Sequence, residues 1–199
     1  TDVTAVSLVG ITASILSQNS TQVVVTAGQG TSAEAGSVVV ISTSFGTTTL
    51  VNGYTYDPAP VIASVAPSNG PLSGGNAVTI LGNYLGSGSD VTSVTLDGVA
   101  AQILSQSTGK VVVTAGASAA PGTGNVIVVS TSYGTATLLQ GYTYNPAGVI
   151  QTVVPSTGPL AGGNLVTITG TNLGNGTDVT SVKLAGVAAT FSSQSSTSV

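Results

Sequence analysis

The chain has 199 residues and a formal net charge of −4, with no Cys, His, Met or Trp, and Lys110 and Lys183 are its two cationic side chains. Without Cys there is no disulfide and no thiolate metal site. Without Arg, and at negative net charge, the electrostatic footprint that dominates nucleic-acid affinity is missing. Ser and Thr together supply 56 residues and Gly 27, a balance found in disordered chains, yet dense Val, Ile and Leu provide enough apolar surface for a core. No apolar run approaches the ~18 residues of a membrane-spanning helix.

The chain repeats itself. Asp2, Asp90 and Asp178 stand 88 residues apart, and laying the sequence on itself at that offset gives 51 identities in 88 positions without a gap. A fixed period of this kind marks duplication of one structural unit. It also provides an internal comparison, because a side chain present in one copy and missing from the next is a poor candidate for a shared site.

Taken in order, the central copy reads as short strands at Val61–Val65, Ala77–Leu81, Val91–Leu96, Val99–Leu104, Lys110–Ala115, Asn125–Thr131 and Thr135–Tyr144. Between the first two lies a Gly-rich loop, "PSNGPLSGGN", echoed by "PSTGPLAGGN" from Pro155. A phosphate-binding loop needs Gly-Lys-Ser/Thr opening a helix. Here Gly74-Gly75-Asn76 leads into the β-branched run Ala77-Val78-Thr79-Ile80, so the glycines are expected only to turn the chain. Asp97-Gly98 suits a tight hairpin, "PGTG" within Gly116–Gly124 reads as a loop, and Tyr133-Gly134 as the last turn. Helical periodicity is absent. About seven short strands in under a hundred residues is the pattern of an immunoglobulin-like sandwich, without the Cys and Trp of antibody domains.

The stretches "PVIASVAPSNGPLSGGNAVTILGNYLG", "VTSVTLDGVAAQIL", "KVVVTA", "GNVIVVSTSYG" and the closing "GYTY" resemble the IPT/TIG domain. That immunoglobulin-like module is shared by plexins, some transcription factors and many microbial surface proteins. The resemblance covers essentially the whole chain and implies spacer or binding-platform roles, with no shared catalytic residues to carry over.

Candidate site residues are few. Tyr142 and Tyr144, like Tyr54 and Tyr56, share one face of a strand and could stack on a sugar, but a sandwich poor in aromatics needs them as core fillers. Phe45 and Tyr133 exchange at one repeat position, which also favours packing over a specific hydroxyl. The recurring Asp2, Asp90 and Asp178 suggest calcium, which takes six to eight oxygens, usually from several carboxylates. The other acids do not recur: Asp97 matches Val9 and Ala185, Asp57 becomes Asn145 and Glu34 becomes Gly122. An aspartate capping turn amides is the better account. Lys110 and Lys183 fall at different phases, so no Lys–Asn crosslink is built into every copy. Ser and Thr are plentiful, but no His, Cys or recurring Lys stands ready to activate them. Asn19-Ser20-Thr21 and Asn175-Gly176-Thr177 are N-glycosylation sequons; neither recurs, and chance in so Ser/Thr-rich a chain is the stronger reading.

The sequence therefore points to an all-β chain of tandem immunoglobulin-like sandwiches of IPT/TIG type, on an 88-residue repeat, arranged as an extended rod. The expected division is the C-terminal part of one domain at 1–57, a complete domain at 58–145 and the N-terminal part of a third at 146–199. The trailing piece 147–199 and the leading piece 1–58, 53 and 58 residues, together exceed one period by 23, which favours a longer parent chain over head-to-tail completion between copies. No catalytic residue, cofactor or metal is expected. A full repeat carries Asp90, Asp97 and Lys110, so weak self-repulsion permits lateral association. The expected role is the body of an extracellular or cell-surface rod or filament with neighbouring repeats and further copies of itself as partners. Glycan or receptor binding, or a spacer beside a catalytic domain, is the alternative.

Overall fold

A computed structural model describes residues 2–199. Its regular elements are all strands, and they fall into three groups on the sequence period. The first holds β1 (Val3–Leu8), β2 (Ile11–Gln18), β3 (Val23–Thr26), β4 (Glu34–Ser42) and β5 (Gly46–Tyr56). The central group holds β6 (Val61–Ala66), β7 (Asn69–Pro71), β8 (Ala77–Asn83), β9 (Val91–Leu96) and β10 (Val99–Gln106), then β11 (Lys110–Thr114), β12 (Gly122–Ser130) and β13 (Gly134–Asn145). The third holds β14 (Val149–Val154), β15 (Thr167–Thr171), β16 (Val182–Leu184) and β17 (Val187–Ala189).

In the central group the strands run in the order β6-β8-β11-β10-β9-β12-β13-β7. The run makes two layers because β10 belongs to both. Its first residues, Val99 to Ala101, pair with β9, and from Gln102 onward it pairs with β11, with a bulge between Ile103 and Ser105. A bulge bends its strand and increases the local twist, which is what passing between sheets requires. The side chain of Gln106 completes the crossing. Its amide accepts from Val91 N (2.7 Å) and donates to Val91 O (3.4 Å), standing in for a backbone partner where β10 has left β9.

Alternation fills the space between the layers. Val111 and Val113 of β11 and Val78 and Ile80 of β8 are fully buried, and they meet Val94, Leu96, Val126, Val128 and Ala136 of the other layer in one cluster. Tyr142 and Tyr144 close that cluster. Both are fully buried, edge to face at 5.1 Å, and each hydroxyl has a partner: Tyr142 accepts from Asn76 Nδ2 (2.9 Å) and Tyr144 donates to Gly116 O (2.9 Å). Tyr56 repeats the second contact on Gly28 O at 2.8 Å. The reading of these tyrosines as core fillers stands, and their hydroxyls are bound within the protein.

The turns follow the sequence closely. Asp97 (φ 50°) and Gly98 (φ 76°) make the left-handed pair of a two-residue hairpin, with Val99 opposite Leu96. Gly74 and Gly75 take φ 65° and 84°; their amides donate to Pro71 O (3.0 Å) and Ala115 O (2.8 Å), so the glycine loop is a turn. Two features differ from expectation. Strand β7 was not anticipated: Asn69–Pro71 pairs in parallel with Thr143–Asn145, a contact to a strand some seventy residues away that local pattern cannot reveal. Strand β12 also starts at Gly122, inside the stretch read as a loop, because Gly122 to Gly124 pair with Tyr144 to Tyr142. The glycines serve a close approach there, since a Cβ on Gly124 would overlap the Asp97 carboxyl group.

The outer groups hold fewer layers. Among the described residues the first group holds the counterparts of β9 to β13; its buried set is Val6, Leu8 and Ala13, while Leu16, Leu50 and Val51 stand largely exposed. In the third, β15 pairs with β14 and Thr169 pairs with Ser198, in the register that joins Leu81 to Lys110 one period earlier.

Two substitutions test this account by their denaturation midpoints. Asp97→Val, which installs the first repeat's Val9 in a left-handed position, is expected to cost the central domain ~1–2 kcal/mol, whereas Asp97→Asn stays near wild type. Gln106→Leu, which strands both backbone groups of Val91, is expected to cost ~1–3 kcal/mol.

Candidate functional site

Functional geometry concentrates at the end of the central sandwich where the β8–β9 loop meets the β12–β13 turn. Asp90, just before β9, ties the two together. Its Oδ1 accepts from Ser87 N (2.5 Å), and its Oδ2 accepts from Ser130 Oγ (2.8 Å) and Ser132 N (2.9 Å). Ser130 in turn accepts from the amides of Ser132 and Tyr133, both at 3.2 Å. Hydrogen bonds from Ser132, then Ser87 and Ser130, hold the Asp90 carboxyl well below the usual carboxylate range. Asp2 bonds Ser42 Oγ in the same way (2.7 Å) and its pKa is lowered first by that bond. Asp178 accepts from Asn175 N at 2.6 Å. The recurring aspartates thus cap turn donors, as their isolation in sequence suggested. Ser130 and Gln106, which complete these contacts, went unread, although both recur as Ser42 and as Gln18 and Gln194.

Beside this network sits an aromatic pair. Tyr84 packs on Tyr133 with ring centroids 5.6 Å apart and planes at 42°, and Tyr84 is 42% exposed. The Phe45/Tyr133 exchange favours packing over a specific hydroxyl, and Tyr133 packs half-buried on Tyr84, at the surface rather than in the core, while Phe45 is exposed.

A concavity of about 680 Å³ lies where Pro146, Ala147 and Gly148 lead from β13 into the third group, between Asn76 and Asn172. Its amides are engaged internally, Asn76 with Tyr142 and Asn145 with Asn69 (3.3 Å). Both sequons lie on exposed turns. Asn19 Oδ1 accepts from Thr21 N and Gln22 N at 2.8 Å, and Asn175 Oδ1 from Thr177 N at 2.9 Å. Lys110 and Lys183 are exposed and well apart in the chain. Among the described residues, no group of three or more His, Cys, Asp or Glu could hold a metal ion, and no helix is long and apolar enough to cross a membrane.

The model of the IPT/TIG domain family matches residues 60–144 and 149–199. The chain belongs to that family. A curated relative, mouse (Mus musculus) plexin-B2, is 38% identical over 125 residues, covering 60% of this chain but only 7% of the relative's length. Among solved structures, the plexin A4 full extracellular region is similar over 85% of this chain and 15% of its own, at 20% identity and TM-score 0.49. SGBP-B of a Bacteroides ovatus mixed-linkage glucan utilization locus, solved with a mixed-linkage heptasaccharide, is similar over 75% of this chain and 39% of its own, at 16% identity and TM-score 0.34.

In the central IPT/TIG domain, the donors around Asp90 favour its ionised carboxylate over the protonated acid. Its folded pKa is depressed, so its contribution is fully present above the unfolded value near 3.8 and is lost as pH falls below that toward the folded pKa. Urea midpoints of wild type and Asp90→Asn should therefore differ by a constant amount from about pH 7 to about pH 5 and converge below about pH 4. A gap that stays constant down to pH 2 would contradict the assignment.

Proposed function

We propose that these tandem IPT/TIG domains form the structural body of an extracellular or cell-surface rod, with a mechanical rather than catalytic role. The supporting observation is the sameness of the junctions. Four residues, Asp57-Pro58-Ala59-Pro60, separate β5 from β6, and three, Pro146-Ala147-Gly148, separate β13 from β14. Connectors so short, with proline restricting their backbone, leave successive domains little freedom. On this reading the chain divides at 57/58 and 145/146, its ends belonging to incomplete domains and its middle to a whole one. Lys110 against Asp90 and Asp97 leaves a complete domain nearly neutral, so other copies can pack alongside it in a fibre. With two lysines and no arginine, the chain also offers few sites to proteases that cut after basic residues.

Small-angle scattering from a protein carrying several consecutive repeats tests the rod. Strands of six to eight residues span ~20–26 Å, so each domain with its loops should advance the particle by about 40 Å. A compact or freely jointed particle would overturn the reading.

A further inference from the structure

The chain has eight aromatic side chains, six Tyr and two Phe. Tyr54, Tyr56, Tyr142 and Tyr144 form two inward, edge-to-face pairs. Tyr84 and Tyr133 form a pair of another kind, at the surface and on loops.

Packing does not call for a tyrosine at position 84. The adjacent Leu85 enters the core and is 1% exposed, while Tyr84 points away from it at 42%. The backbone also disfavours it. Tyr84 has φ 56°, and one period later Asn172 has φ 52°, so the fold imposes the left-handed region at this point. Asparagine tolerates that region; for a bulky aromatic residue it is an outlier. A side chain that the core does not require, packed only on Tyr133 at the surface and held against its conformational preference, suggests a functional constraint. The loops on either side are fixed in advance. Asp90 bonds Ser87 on the Tyr84 side and Ser132 on the Tyr133 side, so the two rings are carried by segments tied to one carboxylate.

We propose that Tyr84 and Tyr133 form an aromatic platform for a pyranose ring of a polysaccharide. The face of a phenol ring carries the negative lobe of its quadrupole. A pyranose presents weakly positive C–H groups on its apolar face and hydroxyls at its edge, which suit the ring faces and the phenol hydroxyls respectively. Exposed Ser87 and Ser132 lie on the same two loops and add further hydroxyls. Size separates this ligand from a protein partner. A stable protein interface buries ~800 Å² on each side around an apolar centre, whereas this pair is set among Ser and Gly residues on its two loops. Pre-ordering of the loops lowers the entropic cost of holding such a small ligand. A mechanical rod needs no exposed aromatic pair, so the site stands apart from the role proposed above. The third repeat has Asn172 in place of Tyr84, which leaves one platform formed by this pair.

The test is calorimetric titration of the 199-residue chain with cellohexaose, xylohexaose, mannohexaose and laminarihexaose. At least one is expected to bind saturably, with one site per chain and a Kd of roughly 1 mM or tighter. Tyr84→Asn, which adopts the residue of the next repeat and relieves the backbone, should keep or raise the unfolding midpoint yet weaken binding about tenfold or more. Tyr133→Phe, which keeps the ring and loses one hydroxyl, should still bind saturably, about two- to tenfold more weakly than wild type. The proposal is overturned if none of these oligosaccharides binds saturably up to about 10 mM, or if Tyr84→Asn binds as tightly as wild type. It is equally overturned if sedimentation shows that wild type self-associates and Tyr84→Asn does not, because the pair is then a contact between copies.

Discussion

Everything in the central domain depends on how β10 leaves one sheet for the other. A strand that changes partners abandons backbone groups on the strand it leaves, and unpaired groups at a sandwich edge are costly. Gln106 reaches back and gives Val91 both an acceptor and a donor, at 2.7 and 3.4 Å. The device recurs where Gln18 holds Val3 (2.9 Å) and where Gln194 holds Val179 (2.8 Å). Fixing the start of β9 also fixes Asp90, the residue just before it, and Asp90 fixes the loops that carry Tyr84 and Tyr133. The surface platform is thus linked to the strand crossing through two side chains.

Backbone conformation repeats more faithfully than side chains do. The first hairpin residue is left-handed whether it is Val9, Asp97 or Ala185, and the later bend is left-handed at both Asn52 and Gln140. Only some of these residues suit that region, so the fold, stabilised by its sheet pairing and core, imposes the conformation on whatever residue stands there. At two strand positions glycine stands where a Cβ has no room: at Gly82 it would overlap Val61 O, and at Gly170 it would overlap Val149 O. Those two glycines, one period apart, let β8 and β15 run close against β6 and β14.

Much of this fold was legible in the sequence because its causes are local. The β-branched run "KVVVT" marked a strand, Asp97-Gly98 marked its hairpin, and the shared face of Tyr142 and Tyr144 marked the core. The failures have non-local causes. Strand β7 exists because β13 passes beside it, and Gly122 to Gly124 belong to a strand because Tyr144 to Tyr142 pair with them. Gln106 looked like any polar strand residue, since its role depends on a bulge that pattern does not reveal. Tyr84 was visible as a departure from Asn172, but its significance depends on a φ value that the letters do not carry.

Near-identical copies divide the residues by what they are for. Asp90 recurs, and its counterparts Asp2 and Asp178 also bond donors on the adjacent loops and turns, so its chemistry belongs to the architecture. Gln106 and the inward tyrosines belong there too. A binding group particular to one domain must instead be sought where the copies differ and the backbone does not. Position 84 meets both conditions: Asn172 shows that the geometry does not require an aromatic ring, and the similar φ shows that the loop was not rebuilt to suit one. The ring stands on a scaffold fixed by Asp90, which is how a repeating structural unit can carry a site in one copy without changing its shape.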